Sequence, residues 1–255
     1  MFIDTHCHLI DDGHVIDHVD AVLARATDAG VGAIICACAD PKDIAIAPEF
    51  VSGHQNMFTT LGIHPEYADV DARDIIKPQI LSHPRVVGVG EIGLDYHYGR
   101  DNRNAQIKLF ETQLAMAESA GLPVAIHTRD AEEDTMAILD NSNVTGVLHC
   151  FTGSWDLARH MLDRGFYISA SGILTFKNAA AIRDTFVRIP HDRIVIETDS
   201  PYCAPVPHRG SVCEPAMVVD TARVLGDVMG IGGSELVQIL RDNTCRLYPK
   251  ISLVE

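Results

Sequence analysis

The sequence predicts a (β/α)8 barrel of the TIM type, on two observations. Short apolar runs rich in β-branched residues recur eight times along the chain, and longer amphipathic stretches separate them. Strands that alternate with helices form a parallel sheet, and 255 residues are enough for one such barrel. No linker, charge block or low-complexity segment divides the chain, so we expect a single barrel domain over residues 1–255.

The eight predicted strands are Phe2–Cys7, Ala33–Ala37, Met57–Gly62, Val86–Glu91, Pro123–His127, Gly146–His149, Phe166–Ala170 and Arg193–Glu197. Helices are predicted between them, for example at Val15–Asp28 and at Asn104–Ala120, where apolar residues recur three or four positions apart. Gly30 and Gly121 follow these two helices, where a C-terminal cap is expected. The competing architecture is an open doubly wound sheet. Its usual Gly-rich turn after the first strand is replaced by the sequence DTHCHLID, which favours the barrel.

Composition limits the functional classes. The net charge of −15 disfavours a broad basic surface for duplex nucleic acid. It does not exclude a nuclease, because bound divalent cations can supply the local positive charge. The chain shows neither a secretory signal nor an apolar run of roughly 20 residues, and its seven irregularly spaced cysteines are typical of buried, reduced thiols. We therefore expect a cytoplasmic protein that is monomeric and has no membrane partner.

Histidines and carboxylates follow six of the eight predicted strands. His6 and His8 would point to the same side of the first strand, since side chains alternate along a strand. In a barrel of this type the carboxyl ends of the strands form the active site, so residues distant in sequence would meet there. The strand-end residues are His6, His8, His64, Glu91, Asp95, His127, Arg129, His149, Glu197 and Asp199.

This set of side chains predicts a metal site. Imidazoles and carboxylates without a thiolate cluster suit zinc, manganese, iron or cobalt. The ligands suffice for two divalent ions, and Glu91, at the end of a central strand, is placed to bridge them. Asp199 can bind one ion and accept the proton of an attacking water, so we expect metal-assisted hydrolysis of a phosphoester or of an amide-like bond.

The chain resembles the TatD family of metal-dependent deoxyribonucleases, within the amidohydrolase-like barrel superfamily. The resemblance extends over nearly the whole chain and is carried, in order, by HCH, GIHPE, GEIGLDYH, PVAIHTRDA, LHCFTGS, ETDSPY and APVPHRG. It implies removal of nucleotides from DNA 3′ to 5′, with a preference for single strands, by two ions such as Mg²⁺, Mn²⁺ or Zn²⁺. One ion would be held by His6, His8, Glu91 and Asp199, and the other by Glu91, His127 and His149. The chain departs from the family at SVCEP, where relatives usually carry a basic residue and an asparagine before the Glu-Pro.

Four residues are assigned to phosphate binding, each with an alternative. His64 would donate a hydrogen bond to phosphate or shape the turn before Pro65. Arg129 would bind phosphate oxygens or form a salt bridge with Asp130. His208 and Arg209, in the loop VPHRG, would contact phosphate or remain solvated.

Other residues near the strand ends are given supporting roles. Asp95 is expected to orient a loop by accepting backbone hydrogen bonds, and Glu197 to orient a histidine ligand. Cys7 is expected to point away from His6 and His8. Phe151 and Trp155 are interpreted as core residues rather than platforms that stack on a base.

The alternative within enzymes is a related hydrolase of another ester or amide, such as a deacylase of aminoacylated tRNA or a small-molecule amidohydrolase. Many barrels of this broad type carry a carboxylated lysine that bridges the metals. Here Glu91 occupies that place and the neighbouring strand ends contain no lysine, which favours the TatD-like interpretation with DNA or another phosphodiester as substrate. A metal-dependent binding protein without activity is the third hypothesis, and the complete ligand set argues against it.

Overall fold

The computed structural model describes residues 1–253. Its strands are β1 (Phe2–Cys7), β2 (Ile10–Asp11), β3 (His14–Val15), β4 (Val31–Cys38), β5 (Met57–Leu61), β6 (Val86–Asp95), β7 (Val124–Arg129), β8 (Gly146–Leu148), β9 (Tyr167–Ala170) and β10 (Ile194–Ile196). Its helices are α1 (Val19–Asp28), α2 (Ala47–Ser52), α3 (Ala72–Ile75), α4 (Pro78–Leu81), α5 (Tyr96–Gly99), α6 (Arg103–Ala120), α7 (Glu132–Leu139), α8 (Trp155–Asp163), α9 (Ala180–Phe186), α10 (Val218–Met229) and α11 (Gly233–Leu247).

Eight parallel strands form the barrel in the order β1-β4-β5-β6-β7-β8-β9-β10. The barrel closes where Cys7, the last residue of β1, pairs in parallel with Ser200, which follows β10. The backbone N–H of His8 donates to the Ser200 carbonyl at 2.7 Å, and the N–H of Asp199 donates to the His6 carbonyl at 2.9 Å. The predicted barrel is therefore confirmed, and all eight predicted strands are present.

The predicted helix Val15–Asp28 is wrong over its first turn. The antiparallel pair β2 and β3 extends to Val15, and α1 begins only at Val19. Asp12 and Gly13 form the turn of this hairpin with φ angles of 49° and 77°. An Asp-Gly pair with both φ angles positive is the usual sequence of a two-residue hairpin turn, so the signal was present in the sequence.

Strand β6 continues to Asp95, four residues beyond its predicted end. Gly93 allows this, because it pairs with His127 of β7 and has a φ of 147°. A Cβ atom at Gly93 would overlap the His127 carbonyl oxygen. Only glycine accepts both this φ angle and this close approach of two backbones, which brings β6 and β7 together beside the candidate site.

The barrel interior is apolar near the amino ends of the strands. One inward residue from each of several strands joins an inner cluster with Leu247, Tyr248 and Ile251 of the C-terminal segment. Tyr248 is fully buried, and the preceding Asn243 side chain donates to the Ile194 carbonyl at 2.6 Å. This segment closes the barrel floor and leaves the carboxyl ends of the strands as the open mouth. The strand residues in the inner cluster are Ile35, Phe58, Val87, Ala125, Val147, Tyr167 and Val195.

The outward faces of the strands pack against the surrounding helices in a second, larger cluster. In α6, for example, Leu109, Phe110 and Leu114 are buried, as the predicted amphipathic pattern requires. Gly121 caps this helix with a φ of 63°. Within residues 1–253, none of the helices has the length and apolar character needed to cross a bilayer.

Candidate functional site

The six predicted metal ligands lie together at the barrel mouth, although they come from five strands. Together with His64, their ligand atoms form three overlapping groups in which all members lie within 4.8 Å of one another. These groups are His6, His8 and Glu91; His6, His149 and Asp199; and His64, Glu91 and His127.

Glu91 stands at the centre of the cluster and is 4% exposed. Its Oε2 atom lies 3.2 Å from His6 Nε2 and 3.6 Å from His8 Nε2. Its Oε1 atom lies 2.8 Å from His127 Nδ1 and 2.9 Å from His149 Nε2. The two carboxylate oxygens therefore face two different groups of imidazoles, which is the arrangement required of a bridging ligand.

Asp199 lies on the first of these two sides. Its Oδ1 atom is 3.5 Å from His8 Nε2 and 4.0 Å from His6 Nε2. Asp199 has a φ of 58°, in the left-handed region, and its hydrogen bond to the His6 carbonyl maintains this turn. The chain thus turns immediately after β10 and directs the carboxylate toward β1.

Burial and mutual contact determine the charges in this cluster. Burial alone would raise the pKa of Glu91, but the positive charge of His149 and hydrogen bonds from His127, His149 and His6 lower it far below the usual range. Burial tends to lower the pKa of His149, whereas Glu91 and Glu197 raise it well above the usual value. His6, buried beside His149, has a lowered pKa. A compact group of imidazoles around carboxylates fits a divalent cation of the zinc or manganese type.

Asp95 supports His127 and also orders the following loop. Its Oδ1 atom accepts the backbone N–H groups of His97 at 2.9 Å and of Tyr98 at 3.2 Å. Its Oδ2 atom lies 3.2 Å from His127 Nε2. Although burial opposes the shift, these hydrogen bonds lower the pKa of Asp95 to about 2, so the side chain is a carboxylate. The predicted role in orienting the loop is confirmed, and the contact with His127 is additional.

Glu197 contacts His149 from the far side, as predicted. Its Oε1 atom lies 3.3 Å from His149 Nδ1 and accepts the Cys150 N–H at 2.7 Å, while Oε2 accepts the Ser169 hydroxyl at 2.5 Å. Glu197 is fully buried, and a carboxylate behind a ligating imidazole fixes the ring orientation.

Asp4 is a buried carboxyl group to which the sequence analysis gave no role. Its Oδ1 atom accepts the Thr198 N–H at 2.9 Å, and its Oδ2 atom pairs with the Thr198 hydroxyl at 2.6 Å. Burial raises the pKa of Asp4 to about 8. The hydrogen bonds between Asp4 and Thr198 join β1 to the segment that carries Asp199. The spacing D-x-H in the sequence indicated that Asp4 shares the side of β1 that carries His6, because residues two apart on a strand point to the same side.

His64 has the predicted turn role and also faces the ligand cluster. Its Nδ1 atom accepts the Glu66 N–H at 3.3 Å and so caps the 3-10 turn Pro65–Tyr67, which fits the turn role. Its Nε2 atom lies 3.8 Å from Glu91 Oε1, so the ring also faces the cluster. Burial lowers the pKa of His64 to about 4, which leaves the imidazole neutral at physiological pH.

The other three side chains assigned to phosphate contact groups outside the imidazole cluster. Arg129 is exposed, with its guanidinium 5.0 Å from the centre of the Tyr98 ring. In the described part of the chain no ion pair joins it to Asp130, which lies 3.2 Å from His97 instead. The other two are also in contact with protein groups: His208 Nε2 lies 3.1 Å from Asp220, and Arg209 lies over Phe176 at 3.7 Å.

The remaining expectations concern apolar and thiol side chains. Phe151 is 3% exposed and lies edge-on to Phe186, so its core role is confirmed. Trp155 is partly buried against the core. Cys7 is buried with its Sγ atom 3.7 Å from the Ile35 carbonyl, away from the cluster as predicted. The seven cysteines are free thiols, of which four are buried as expected, whereas Cys150, Cys203 and Cys245 are partly exposed.

Comparison with known proteins identifies the family of this chain. Residues 3–249 match the family model described as TatD related DNase. The chain belongs to the TatD family. Among relatives, YcfH of Escherichia coli K12, a metal-dependent hydrolase, is 39% identical over 253 residues, covering 96% of this chain and 95% of YcfH. The metal-dependent hydrolase YabD of Bacillus subtilis is 35% identical over 257 residues, covering 97% of this chain and 99% of YabD.

Solved structures agree with this TatD assignment. The crystal structure of YjjV, a TatD homologue of Escherichia coli K12, superimposes with a TM-score of 0.90 at 29% identity, covering 97% of this chain and 98% of YjjV. A TatD family hydrolase of Entamoeba histolytica gives a TM-score of 0.84 at 24% identity, covering 98% of each chain, which supports the fold alone.

Proposed function

We propose that this TatD-family protein is a metal-dependent hydrolase of phosphodiesters that removes nucleotides 3′ to 5′ from single-stranded DNA. The observation that supports the proposal most directly is the position of Glu91. Its two oxygens face different imidazole groups, at 3.2 Å from His6 and at 2.8 Å from His127. The family model, named for DNase activity, supports the choice of substrate.

Two divalent ions would be held at the mouth. The first would use His6, His8, Glu91 and Asp199, and the second Glu91, His127 and His149. When bound, such a pair lowers the pKa of a water molecule and stabilises negative charge on the phosphate oxygens.

Asp199 would accept the proton of the attacking water. The hydrogen bond to His8 and the nearby imidazoles lower the pKa of Asp199 despite its burial, so the group is ionised and can accept. Its position after β10, beside β1, lets it contact both the first ion and the water. Asp199 and Glu91 are therefore the proposed catalytic residues.

His64 and Arg129 would orient the substrate. The His64 ring is neutral and lies at the edge of the cluster, where one nitrogen can donate to a phosphate oxygen. Arg129 ends β7 two residues after His127, and its exposed guanidinium can bind a phosphate bidentately. To contact the phosphates of the DNA, His208 would have to separate from Asp220, and Arg209 from Phe176.

The test is hydrolysis of a single-stranded DNA oligonucleotide by metal-stripped protein, with Mg²⁺, Mn²⁺ or Zn²⁺ added back. A 5′-labelled strand should give a ladder that shortens stepwise from the 3′ end. Glu91→Ala and Asp199→Ala should abolish it, whereas Glu235→Ala, at an exposed position of α11, should cleave like the wild type. Scission inside the strand would contradict the exonuclease mode.

The second candidate is a related hydrolase of another ester or amide, such as an aminoacyl-tRNA deacylase or a small-molecule amidohydrolase. The contacts of His208 with Asp220 and of Arg209 with Phe176 favour it, because both side chains already have protein partners. If DNA remains intact after incubation with metal-loaded protein, this second class of hydrolase becomes the preferred function. The monomeric state and the cytoplasmic location remain predictions, as does a single domain over 1–255, whose last two residues lie outside the described residues.

A further inference from the structure

Two thiols lie beside Asp199, on the side away from the imidazole cluster. Cys150 follows β8 and Cys203 follows β10, yet their Sγ atoms are 3.9 Å apart. The Sγ atom of Cys203 is also 3.4 Å from Asp199 Oδ2. The proposed hydrolysis uses neither cysteine.

These separations match the edges of a tetrahedral metal site. Zinc binds thiolate sulfur at about 2.3 Å and carboxylate oxygen at about 2.0 Å, so tetrahedral angles place two sulfurs about 3.8 Å apart and sulfur about 3.5 Å from oxygen. The observed values are 3.9 Å and 3.4 Å. A disulfide would bring the sulfurs to about 2.0 Å, so at 3.9 Å both thiols are free and available as ligands.

The backbone fixes the three groups in this arrangement. Cys150, Asp199 and Cys203 all have φ angles in the left-handed region, at 41°, 58° and 55°. Such angles are uncommon for residues other than glycine and need support from the surroundings. The Cys150 N–H donates to Glu197 at 2.7 Å, and the Cys203 carbonyl is packed so tightly against Gly172 that a Cβ there would overlap it.

We propose that Cys150, Cys203 and Asp199 form a separate site for a thiophilic divalent cation, with Zn²⁺ and Cd²⁺ as the matching chemistry. Both cysteines are partly exposed, so an ion can reach them from solvent. The Cys150 Sγ atom lies 3.1 Å from the Ser171 hydroxyl, which leaves that oxygen or a water for the fourth position. Binding forms two metal–sulfur bonds and releases the two thiol protons to solvent, with no change of oxidation state.

The site would be coupled to the imidazole cluster through Asp199. Its Oδ1 atom faces His8 at 3.5 Å, while its Oδ2 atom faces Cys203 at 3.4 Å. A cation bound to the thiols would also bind Asp199, the carboxylate that the proposed hydrolysis needs as a metal ligand and proton acceptor. Excess thiophilic metal is therefore expected to inhibit the protein, whereas Mg²⁺, which avoids sulfur ligands, is not.

The test is titration of reduced, metal-free protein with Cd²⁺, followed by the ultraviolet thiolate-to-cadmium charge-transfer band and by the number of ions bound at equilibrium. Wild type should show the band and bind one ion more than Cys203→Ser or Cys150→Ser. Cys245→Ser removes a partly exposed thiol of α11 and should behave like the wild type. Circular dichroism shows whether each variant is folded.

Three results would overturn the site: an unchanged band in Cys203→Ser, equal numbers of ions in wild type and both variants, or loss of the band in Cys245→Ser. The readout needs no substrate, so it stands apart from the proposed nuclease activity. If hydrolysis is found, the inhibitory concentration of Zn²⁺ should rise at least about tenfold in Cys203→Ser.

Discussion

The Oε1 atom of Glu91 lies 2.8 Å from Nδ1 of His127, at the point where β6 and β7 run side by side. The opposite oxygen of the same carboxylate faces His6 of β1, across the barrel mouth. One buried side chain thus connects imidazoles from strands that are far apart in the sequence.

Glu91→Gln is expected to lose both metal ions together. The amide keeps the size of the side chain but has no negative charge and only one acceptor oxygen, so it cannot bridge two cations. Elemental analysis after loading with Mn²⁺ or Zn²⁺ measures the ions bound per chain. A Glu91→Gln protein that keeps a full complement of ions would show that the carboxylate is not the bridge.

Asp95→Asn is expected to weaken metal binding by about 10–100-fold without unfolding the protein. Asparagine can still accept the His97 N–H, but it no longer supplies a negative charge behind His127. Competition against a chromophoric chelator gives the affinity. Glu197→Gln, which acts on His149 in the same way, is the matched comparison, and unchanged affinity in both variants would refute a supporting role.

Metal binding should release protons, and its affinity should rise with pH. Burial lowers the pKa values of His127 and His149, but contacts with the surrounding carboxylates more than offset this and raise both. In the metal-free protein these rings therefore keep their protons to a higher pH than a free imidazole does, a metal must displace those protons, and the effect ends once the pH exceeds the raised pKa values. Calorimetry at one neutral pH in two buffers of different ionisation enthalpy counts the protons. Heats independent of the buffer would contradict the prediction.

The sequence was sufficient for the barrel and for the candidate ligands, because both follow from local pattern. Runs of β-branched residues located the strands, and the rule that barrel strands carry their reactive groups at the carboxyl ends selected His6, Glu91, His127 and Asp199. The predicted helix Val15–Asp28 begins too early because its apolar periodicity extends back toward the hairpin, whose own signal is the Asp12-Gly13 turn.

Contacts that depend on how loops curve could not be predicted from the sequence. Cys150 and Cys203 are 53 positions apart, and only the left-handed turns after β8 and β10 bring their sulfurs together. The contact of His208 with Asp220 likewise depends on the path of an irregular loop. Neither spacing nor residue type specifies such paths.

Tyr248 allows a test of the barrel floor. The ring is fully buried in the inner cluster, and within the described residues its hydroxyl has no hydrogen-bond partner. Tyr248→Phe should therefore leave the free energy of unfolding unchanged or raise it by about 1 kcal/mol, because a buried unpaired hydroxyl is unfavourable. Tyr248→Ala should lower it by about 3–5 kcal/mol through loss of ring burial and a cavity. Urea denaturation measures both, and a clear loss in Tyr248→Phe would show that the hydroxyl is paired.

Arg129→Ala should weaken the binding of single-stranded DNA and leave metal content unchanged. The guanidinium is exposed over Tyr98, and among the described residues no ion pair joins it to the ligand cluster, so its removal should delete the proposed phosphate contact and little else. KM should rise while kcat stays near the wild-type value, and the slope of log affinity against log salt should fall by about 0.7, the value for one phosphate contact on a single strand. Arg159→Ala, on the exposed face of α8, removes the same charge at a distance from the mouth and serves as control. Equal effects of the two variants would mean that Arg129 acts only through the net charge of the protein, and the assignment of Arg129 to phosphate would then be withdrawn.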